Sequence, residues 1–159
     1  CMGLLEEAGE VVAELRKPLY KGNFHEKALD KKAITSELGD VMWYIALTCR
    51  NNDINIEKLE SKIDANKCSF DREKLIKKSI KLGRQSGIIA KRYIKYNKGK
   101  IEKEKLERSL KRQYKNILKI SGMLDISIED ILKMNIEKAN YRYDENGKTN
   151  KIGEEDNER

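Results

Sequence analysis

The stretch GLLEEAGEVV, residues 3–12, decides the fold because it joins an apolar helical stripe to a crowd of carboxylates. Its apolar positions recur at spacings of three and four: Leu4, Ala8 and Val11. That period predicts an amphipathic helix, which we expect Pro18 to end. Glu6, Glu7 and Glu10 crowd onto one helical turn, where like charges repel. Because this repulsion is unfavourable in an otherwise apolar segment, we expect these acids to have a function.

The rest of the chain has the composition of a helical protein. Among its 159 residues Pro occurs once, and charged and apolar residues make up 38% each. Apolar stripes at helical spacing return along the chain, so we predict an all-α helical bundle. No apolar run approaches the roughly 18–20 residues that cross a bilayer, and no secretory signal is visible. We therefore predict no membrane partner.

The cysteines indicate the compartment. Cys1, Cys49 and Cys68 are scattered, without CxxC or CxxH spacing. An odd, scattered set argues against a disulfide framework or a zinc site and is typical of a reducing cytoplasm. Because the chain starts with Cys1 and not Met, we expect its true N-terminus to be missing.

The charge is divided unevenly along the chain. Residues 1–72 carry a net charge of −2, residues 73–143 carry +12, and the tail 144–159 carries −3. The simplest explanation of the basic stretch is a solvated, lysine-rich surface. The tail is polar and aperiodic, which predicts a frayed end.

The order of elements is repeated. LLEEAGEVVAELRKPLYKGN aligns with LGRQSGIIAKRYIKYNKGK, which places Leu4 on Leu82 at an offset of 78. INIEKL aligns with ISIEDIL at an offset of 72. We predict two tandem helical repeats: residues 1–70 with the acidic motifs, and residues 71–143 as a basic, degenerate copy, followed by the tail 144–159. Chance similarity between two amphipathic hairpins is the alternative.

A second acidic pair lies in ITSELGDVMWYI. Glu37 and Asp40 are three residues apart on a predicted helix, as are Glu7 and Glu10. If the two helices pack along their apolar stripes, all four carboxylates converge at the shared edge. Such a cluster is costly unless a hard divalent cation such as Mg²⁺ neutralises it. Gly9 and Gly39, inside the two motifs, predict close approach of a helix or ligand. Surface acids paired with lysines are the alternative.

The pattern EEAGE followed by ELGDVMWYI resembles the MazG-like, all-α nucleoside triphosphate pyrophosphohydrolases, whose signature is EExxE followed by ExxD. The resemblance implies a helical bundle in which Glu7, Glu10, Glu37 and Asp40 are catalytic and bind Mg²⁺, with Mn²⁺ as a substitute. Glu6, at the first acidic place, is a weaker metal ligand. The implied reaction cleaves (d)NTPs to (d)NMP and pyrophosphate in nucleotide-pool control or house-cleaning.

ISIEDILKMNIEKANYRYDENGK resembles the closing helix of the same family, which has an N-x-x-K-x-x-x-R-Y pattern. The resemblance implies nucleotide or phosphate binding by the residues on this pattern: Asn135, Lys138, Arg142 and Tyr143. Lys17 and Lys21 are weaker phosphate candidates. Trp43, just after the ExxD turn, is either a contact for the base or part of the core.

The chain departs from the compact family pattern in its length. About 60 additional residues separate the two motifs, and the second copy lacks the acids, because Glu7 falls on Gln85 and Asp40 on Arg112. The usual helix before GLLEEAGE is absent, so either residues are missing or the second half fills its groove. We hypothesise a fused pseudo-dimer with one active site. A decayed copy that only supports the bundle, and a homo-oligomer, are the alternatives.

Two other functions compete with the enzyme. The first is a non-catalytic nucleic-acid-binding helical module that uses the basic second half, with Tyr93 and Tyr96 among its lysines. Those tyrosines lie on an apolar row, which favours the core. The second is a purely structural bundle. Both leave the four acids unexplained, so nucleic acid is the less favoured partner and a nucleoside triphosphate the favoured one.

Overall fold

The computed structural model describes residues 2–20, 22, 25–59 and 69–142, without the side chains of residues 19 and 20. Five α-helices are present there: α1 (Met2–Tyr20), α2 (Lys31–Arg50), α3 (Arg72–Asn97), α4 (Lys103–Met123) and α5 (Ile128–Arg142). Two short 3₁₀ turns, Glu26–Ala28 and Ile56–Leu59, lie before and after α2. The described part of the chain has no strand, and the predicted all-α fold is confirmed.

Local side-chain caps explain where three of the helices begin. Asp30 and Asp71 accept hydrogen bonds from backbone N–H groups three residues later, at 3.0 Å and 2.9 Å, and so start α2 and α3. Ser127 does the same for α5, because its Oγ accepts the N–H of Asp130 at 3.0 Å.

Two predicted boundaries need correction. Pro18 does not end α1 but lies inside its last turn, and the helix continues to Tyr20. A proline lacks a backbone N–H, and its ring crowds the preceding turn of the helix. Because Pro18 lies in the last turn of α1, few helical hydrogen bonds are affected and the helix can continue past it. After NNDIN the sequence also predicts a short helix over residues 55–66, but its described part is only the 3₁₀ turn Ile56–Leu59. Residues 60–68 lie outside the described residues.

The helices form two hairpins that pack on each other. Helix α1 packs against α2, α3 packs against α4, and α1 and α3 join the two hairpins. Helix α5, from the second half of the chain, packs on α2 of the first half. The turn Ile56–Leu59, from the first half, packs on α4 of the second. The two halves therefore exchange their third elements, and this exchange brings α5 to the acidic motifs.

The turns after α2 and α4 share one backbone conformation. Asp53 and Asp125 both have positive φ, at 51° and 54°. Just after them, Ile54 N donates to Cys49 O and Ile126 N donates to Ser121 O, each at 2.9 Å. Both turns therefore end their helices with the 6→1 bond of a Schellman motif. The pairs of corresponding residues are 72 positions apart, the offset found in the sequence.

Helix α3 carries two adjoining apolar rows in the sequence, one through Ile80 and Ile94 and the other through Leu75, Leu82 and Ile89, which together predict one wide, buried face and a central helix. The row through Leu75, Leu82 and Ile89 is completely buried, whereas Ile80 and Ile94 of the other row are 62% and 51% exposed. The expectation of one wide, buried face was therefore wrong. The central position of α3 is supported, because it contacts both α1 and α4.

Candidate active site

Carboxylates from α1 and α2 converge where the two helices pack. Glu7, Glu37 and Asp40 each place one carboxylate oxygen within 4.8 Å of the others. The neighbouring apolar stripes of α1 and α2 bring the acids together. Ala8, Val11 and other residues of these stripes are fully buried, and their burial fixes the direction in which the acids project.

Helix α5 completes the site from the other half of the chain. Asn135 Nδ2 donates a 2.9 Å hydrogen bond to Oδ1 of Asp40. Lys138 Nζ donates to the second oxygen, Oδ2, and lies 3.4 Å from the Ser36 hydroxyl. Both oxygens of Asp40 are therefore held by the predicted N-x-x-K residues.

Gly39 permits this close approach. A Cβ on Gly39 would lie 3.1 Å from the Asn135 Cβ and 3.2 Å from the Ile131 carbonyl oxygen, so α5 would have to shift. The prediction of close approach at Gly39 is confirmed. At Gly9 no described helix approaches, because a Cβ there would meet nothing within 4 Å.

Two carboxyl groups of the cluster, those of Glu37 and Glu7, have raised pKa values. Burial, a hydrogen bond with Glu10 and nearby negative charges raise the pKa of Glu37 to about 7, against the lowering effect of Lys138. Burial and the charge of Asp40 raise the pKa of Glu7 as well. Oxygen Oε2 of Glu37 is buried and has no hydrogen-bond partner among the described residues. A buried oxygen without a partner, among carboxylates that repel, fits a hard divalent cation held by oxygen ligands.

A cavity of about 240 Å³ opens beside this cluster. Its lining combines acids, cations and aromatic side chains: Glu7, Asp40, Trp43, Tyr44, Asn135, Lys138, Ala139 and Arg142. Trp43 is 55% exposed, so it is not a core residue. A larger cleft of about 660 Å³ lies beside the start of α5, but no predicted site residue lines it. The smaller cavity is therefore the candidate site.

The remaining predicted residues lie at or beyond its edge. Glu10 contacts Glu37 but is outside the cluster of three carboxylates, and Glu6 is exposed. Lys17 forms an ion pair with Glu14 and does not line the cavity. Lys21 and Tyr143 lie outside the described residues.

Sequence reasoning missed Ser36, whose hydroxyl lies beside the Lys138 ammonium. The signal was available, since Ser36 precedes Asp40 by four residues and so shares its helical face.

The geometry defines a class of protein: an all-helical bundle that carries a carboxylate cluster suited to a metal ion, with a lysine in contact with that cluster. Residues 1–68 match the family model of the MazG nucleotide pyrophosphohydrolase domain, which confirms the MazG resemblance for that part of the chain. Helix α5 lies outside the matched residues.

A phage protein is also similar to this chain. The Gene 37 protein of Mycobacterium phage L5 is 34% identical over 71 residues, which are 40% of this chain and 62% of that relative. No solved structure matches. None of the described helices has the length and apolar character needed to span a membrane.

Proposed function

We propose that this protein hydrolyses (d)NTPs to (d)NMP and pyrophosphate, with Mg²⁺ as its cofactor and Mn²⁺ as a substitute. One observation carries the proposal: the carboxylates of Glu7, Glu37 and Asp40 converge, Lys138 donates to Asp40, and Glu7, Asp40 and Lys138 line one cavity. The family of residues 1–68 supplies the reaction class. A nucleic-acid-binding or structural bundle would gain nothing from three converging carboxylates, two of which, Glu7 and Glu37, have raised pKa values.

The residues have separate parts in the proposal. Glu7, Glu37 and Asp40 hold the cation, which when bound neutralises charge on the phosphates. Lys138 and Arg142, one turn apart on α5, bind the phosphate oxygens. Asn135 holds Asp40 in place through its amide. The exposed ring of Trp43 packs on the base.

The proposed products define the bond changes. Water attacks the phosphorus on one side of the α–β bridging oxygen, the bond from that phosphorus to the bridging oxygen breaks, and NMP and pyrophosphate leave. The proton released by the water goes to a carboxylate of the cluster.

We also infer that the chain is a fused duplicate with one active site. The exchange of third elements between the hairpins and the matching turns at Asp53 and Asp125 support this arrangement. In the second half, Gln85 and Ser109 replace acids, and a hydrogen bond of 3.2 Å from Gln85 Nε2 to the Ser109 carbonyl joins their helices. The second half then contributes α5 but no metal ligands.

Pyrophosphate release from a panel of NTPs and dNTPs, with Mg²⁺, Mn²⁺ or EDTA, tests the proposal. Glu7→Gln should lower kcat by about 10²-fold or more, the usual size of losing one catalytic electrostatic group. Glu14→Gln is the matched control, because it removes a carboxylate from the same helix that pairs with Lys17 outside the cavity. Release of orthophosphate alone, or equal activity of the two variants, would contradict the proposal.

A further inference from the structure

The outer face of α3 and α4 carries an unusual density of positive charge. Eleven cations occupy it, six on α3 and five on α4: Lys77, Lys81, Arg84, Lys91, Lys95, Lys98, Lys105, Arg108, Arg112, Lys115 and Lys119. We call this set the basic face. None of its residues lines the candidate active site. The proposed hydrolysis therefore leaves the basic face unexplained.

The helical spacing aligns these cations into two rows. On α3 the steps from Lys77 to Lys98 are four, three, seven, four and three residues, and all six side chains are exposed. The row is opposite the buried positions Leu75, Leu82 and Ile89 and extends about 30 Å. On α4 the steps from Lys105 to Lys119 are three, four, three and four residues, which give a second row about 20 Å long.

The two rows lie on the same side of the molecule. The seam between α3 and α4 is marked by two hydrogen bonds, Gln85 to the Ser109 carbonyl and Gln113 to Ser86 at 2.7 Å. By helical rotation, Gln85 on α3, and Ser109 and Gln113 on α4, lie between the buried stripe of their helix and its row of cations. Neighbouring packed helices have axes about 8–10 Å apart, so the rows run side by side at about that separation.

Little negative charge compensates the basic face. Glu73 pairs with Lys77, and Glu102 pairs with Lys105. Among the described residues, no ion pair joins the other nine cations to an acid. Like charges three and four residues apart destabilise a helix by about 0.2–0.5 kcal/mol per pair. A chain that accepts this repulsion over two helices presents a surface for a polyanion.

We propose that the basic face binds the phosphate backbones of a nucleic-acid duplex without reading its sequence. Two rows of cations about 10 Å apart match two backbones on either side of a groove about 12 Å wide. Tyr93 and Tyr96 pack against the core and cannot stack on unpaired bases, which favours a duplex over a single strand. The exposed Ile80 and Ile94 lie three or four residues from cations of the α3 row and share its face, so anionic vesicles are the competing ligand in the test.

Fluorescence anisotropy with a labelled 24-base-pair duplex tests the proposal. If the face contacts six phosphates, affinity falls about 10³-fold between 50 and 200 mM salt. Reversing three charges on α3, with Arg84→Glu, Lys91→Glu and Lys95→Glu, should weaken binding and reduce the log–log salt slope by about 3. Arg108→Glu with Arg112→Glu should do the same through α4, with a change of about 2.

The matched control reverses three exposed cations elsewhere, with Lys27→Glu, Arg50→Glu and Lys58→Glu, and so changes the net charge equally. Glutamine replacements at the same α3 positions, with helix content checked by circular dichroism, guard against loss of fold. Equal weakening by the control, no binding at 50 mM salt, or binding to anionic vesicles but not to duplex would overturn the proposal. Pyrophosphate release by the α3 variants should stay within 2-fold of wild type, so failure of hydrolysis and failure of binding are distinguishable.

Discussion

Asn135 donates a 2.9 Å hydrogen bond to Asp40, and this bond joins side chains that are 95 positions apart in the chain. Asp40 lies inside the MazG-matched residues 1–68, whereas Asn135 lies far outside them. The acidic motif is thus positioned by a helix that the matched region does not contain. A fragment that ends near residue 70 would keep the metal ligands but lose the groups that hold Asp40.

Lys138→Met tests what the second half contributes. The change leaves the nearly buried Asp40 carboxylate without its cation, so in EDTA the free energy of unfolding should fall by about 1–3 kcal/mol. Pyrophosphate release should fall as well, because a phosphate ligand is lost. Urea unfolding and kcat/KM measure the two effects. Lys133→Met, an exposed position on the same helix, is the control, and equal behaviour of the two would exclude a role for Lys138.

Gly39→Ala and Gly9→Ala form a matched pair of opposite sign. At Gly39 the new methyl group meets Asn135 and the Ile131 carbonyl oxygen, so α5 shifts by a few tenths of an ångström. We expect lower stability, typically by about 1–3 kcal/mol for overpacking, and lower kcat. At Gly9 nothing obstructs the methyl group, so the helix gains about 0.5–1 kcal/mol. Thermal unfolding measures both, and a stabilised Gly39→Ala protein would contradict the described packing of α5.

These glycines show how far the sequence reaches. The periodicity of α1 and α2 predicted that Glu7, Glu37 and Asp40 converge, because buried stripes dictate where the neighbouring acids project. The order of residues within a motif does not say which helix approaches it. Gly9 and Gly39 occupy equivalent places in their motifs, yet only Gly39 has a helix against it.

Other limits have the same physical origin. Lys17 was a phosphate candidate, but Glu14, three residues before it, offers a local partner that spacing alone made equally available. The contact between Lys138 and Asp40 depends on α5 crossing to the other hairpin. Short-range sequence patterns do not show on which hairpin α5 packs. The predicted role of α5 at the acidic motifs came only from the family resemblance. The two apolar rows of α3 show the same limit, since exposure of Ile80 depends on what packs beside it.

Without metal, the protein should lose stability as the pH rises. The folded-state pKa of Glu37 is about 7, above its ordinary value of 4.5, so the folded protein binds more protons between these values. The associated stability is complete below pH 4.5 and is lost as the pH rises through 7. The raised pKa of Glu7 acts in the same direction. In EDTA we expect Tm to fall from pH 5 to pH 8.

Glu37→Gln is the control, because it removes the titrating group and should flatten this dependence. Mg²⁺ should raise Tm of the wild type more at pH 8 than at pH 5, since metal binding requires ionised carboxylates. Differential scanning calorimetry at both pH values, with EDTA and with Mg²⁺, measures the four conditions. A Mg²⁺ effect that is larger at pH 5 would contradict the metal site.

A buried polar contact joins α3 and α4. Gln113 donates to Ser86 in a fully buried seam, and Oε1 of Gln113 has no hydrogen-bond partner among the described residues. At offsets of 78 and 72 these residues correspond to Ala8 and Val41. Ser86→Ala alone should destabilise the protein by about 0.5–1.5 kcal/mol, because the buried Gln113 amide loses one of its two acceptors and keeps the Leu82 carbonyl oxygen at 3.3 Å. Ser86→Ala with Gln113→Val should recover most of that loss or exceed it.

A double-mutant cycle measured by urea unfolding gives the coupling between the two positions. Recovery in the double variant would support the correspondence of the two halves, because the pair taken from the first half then fits the second. A double variant less stable than either single one would contradict that correspondence.

Trp43 offers a direct readout of the cavity, because it is the only tryptophan in the chain. Its ring lines the cavity and is 55% exposed, so an NTP bound there should change its fluorescence. Trp43→Ala should alter the free energy of unfolding by no more than about 0.5 kcal/mol, as usual for an exposed position. It should raise KM about 5-fold or more if the ring stacks on a base, a contact that contributes about 1–3 kcal/mol. Ile136→Ala, an equally exposed position outside the cavity, is the control, and hydrolysis without any fluorescence response would exclude Trp43 as the base contact.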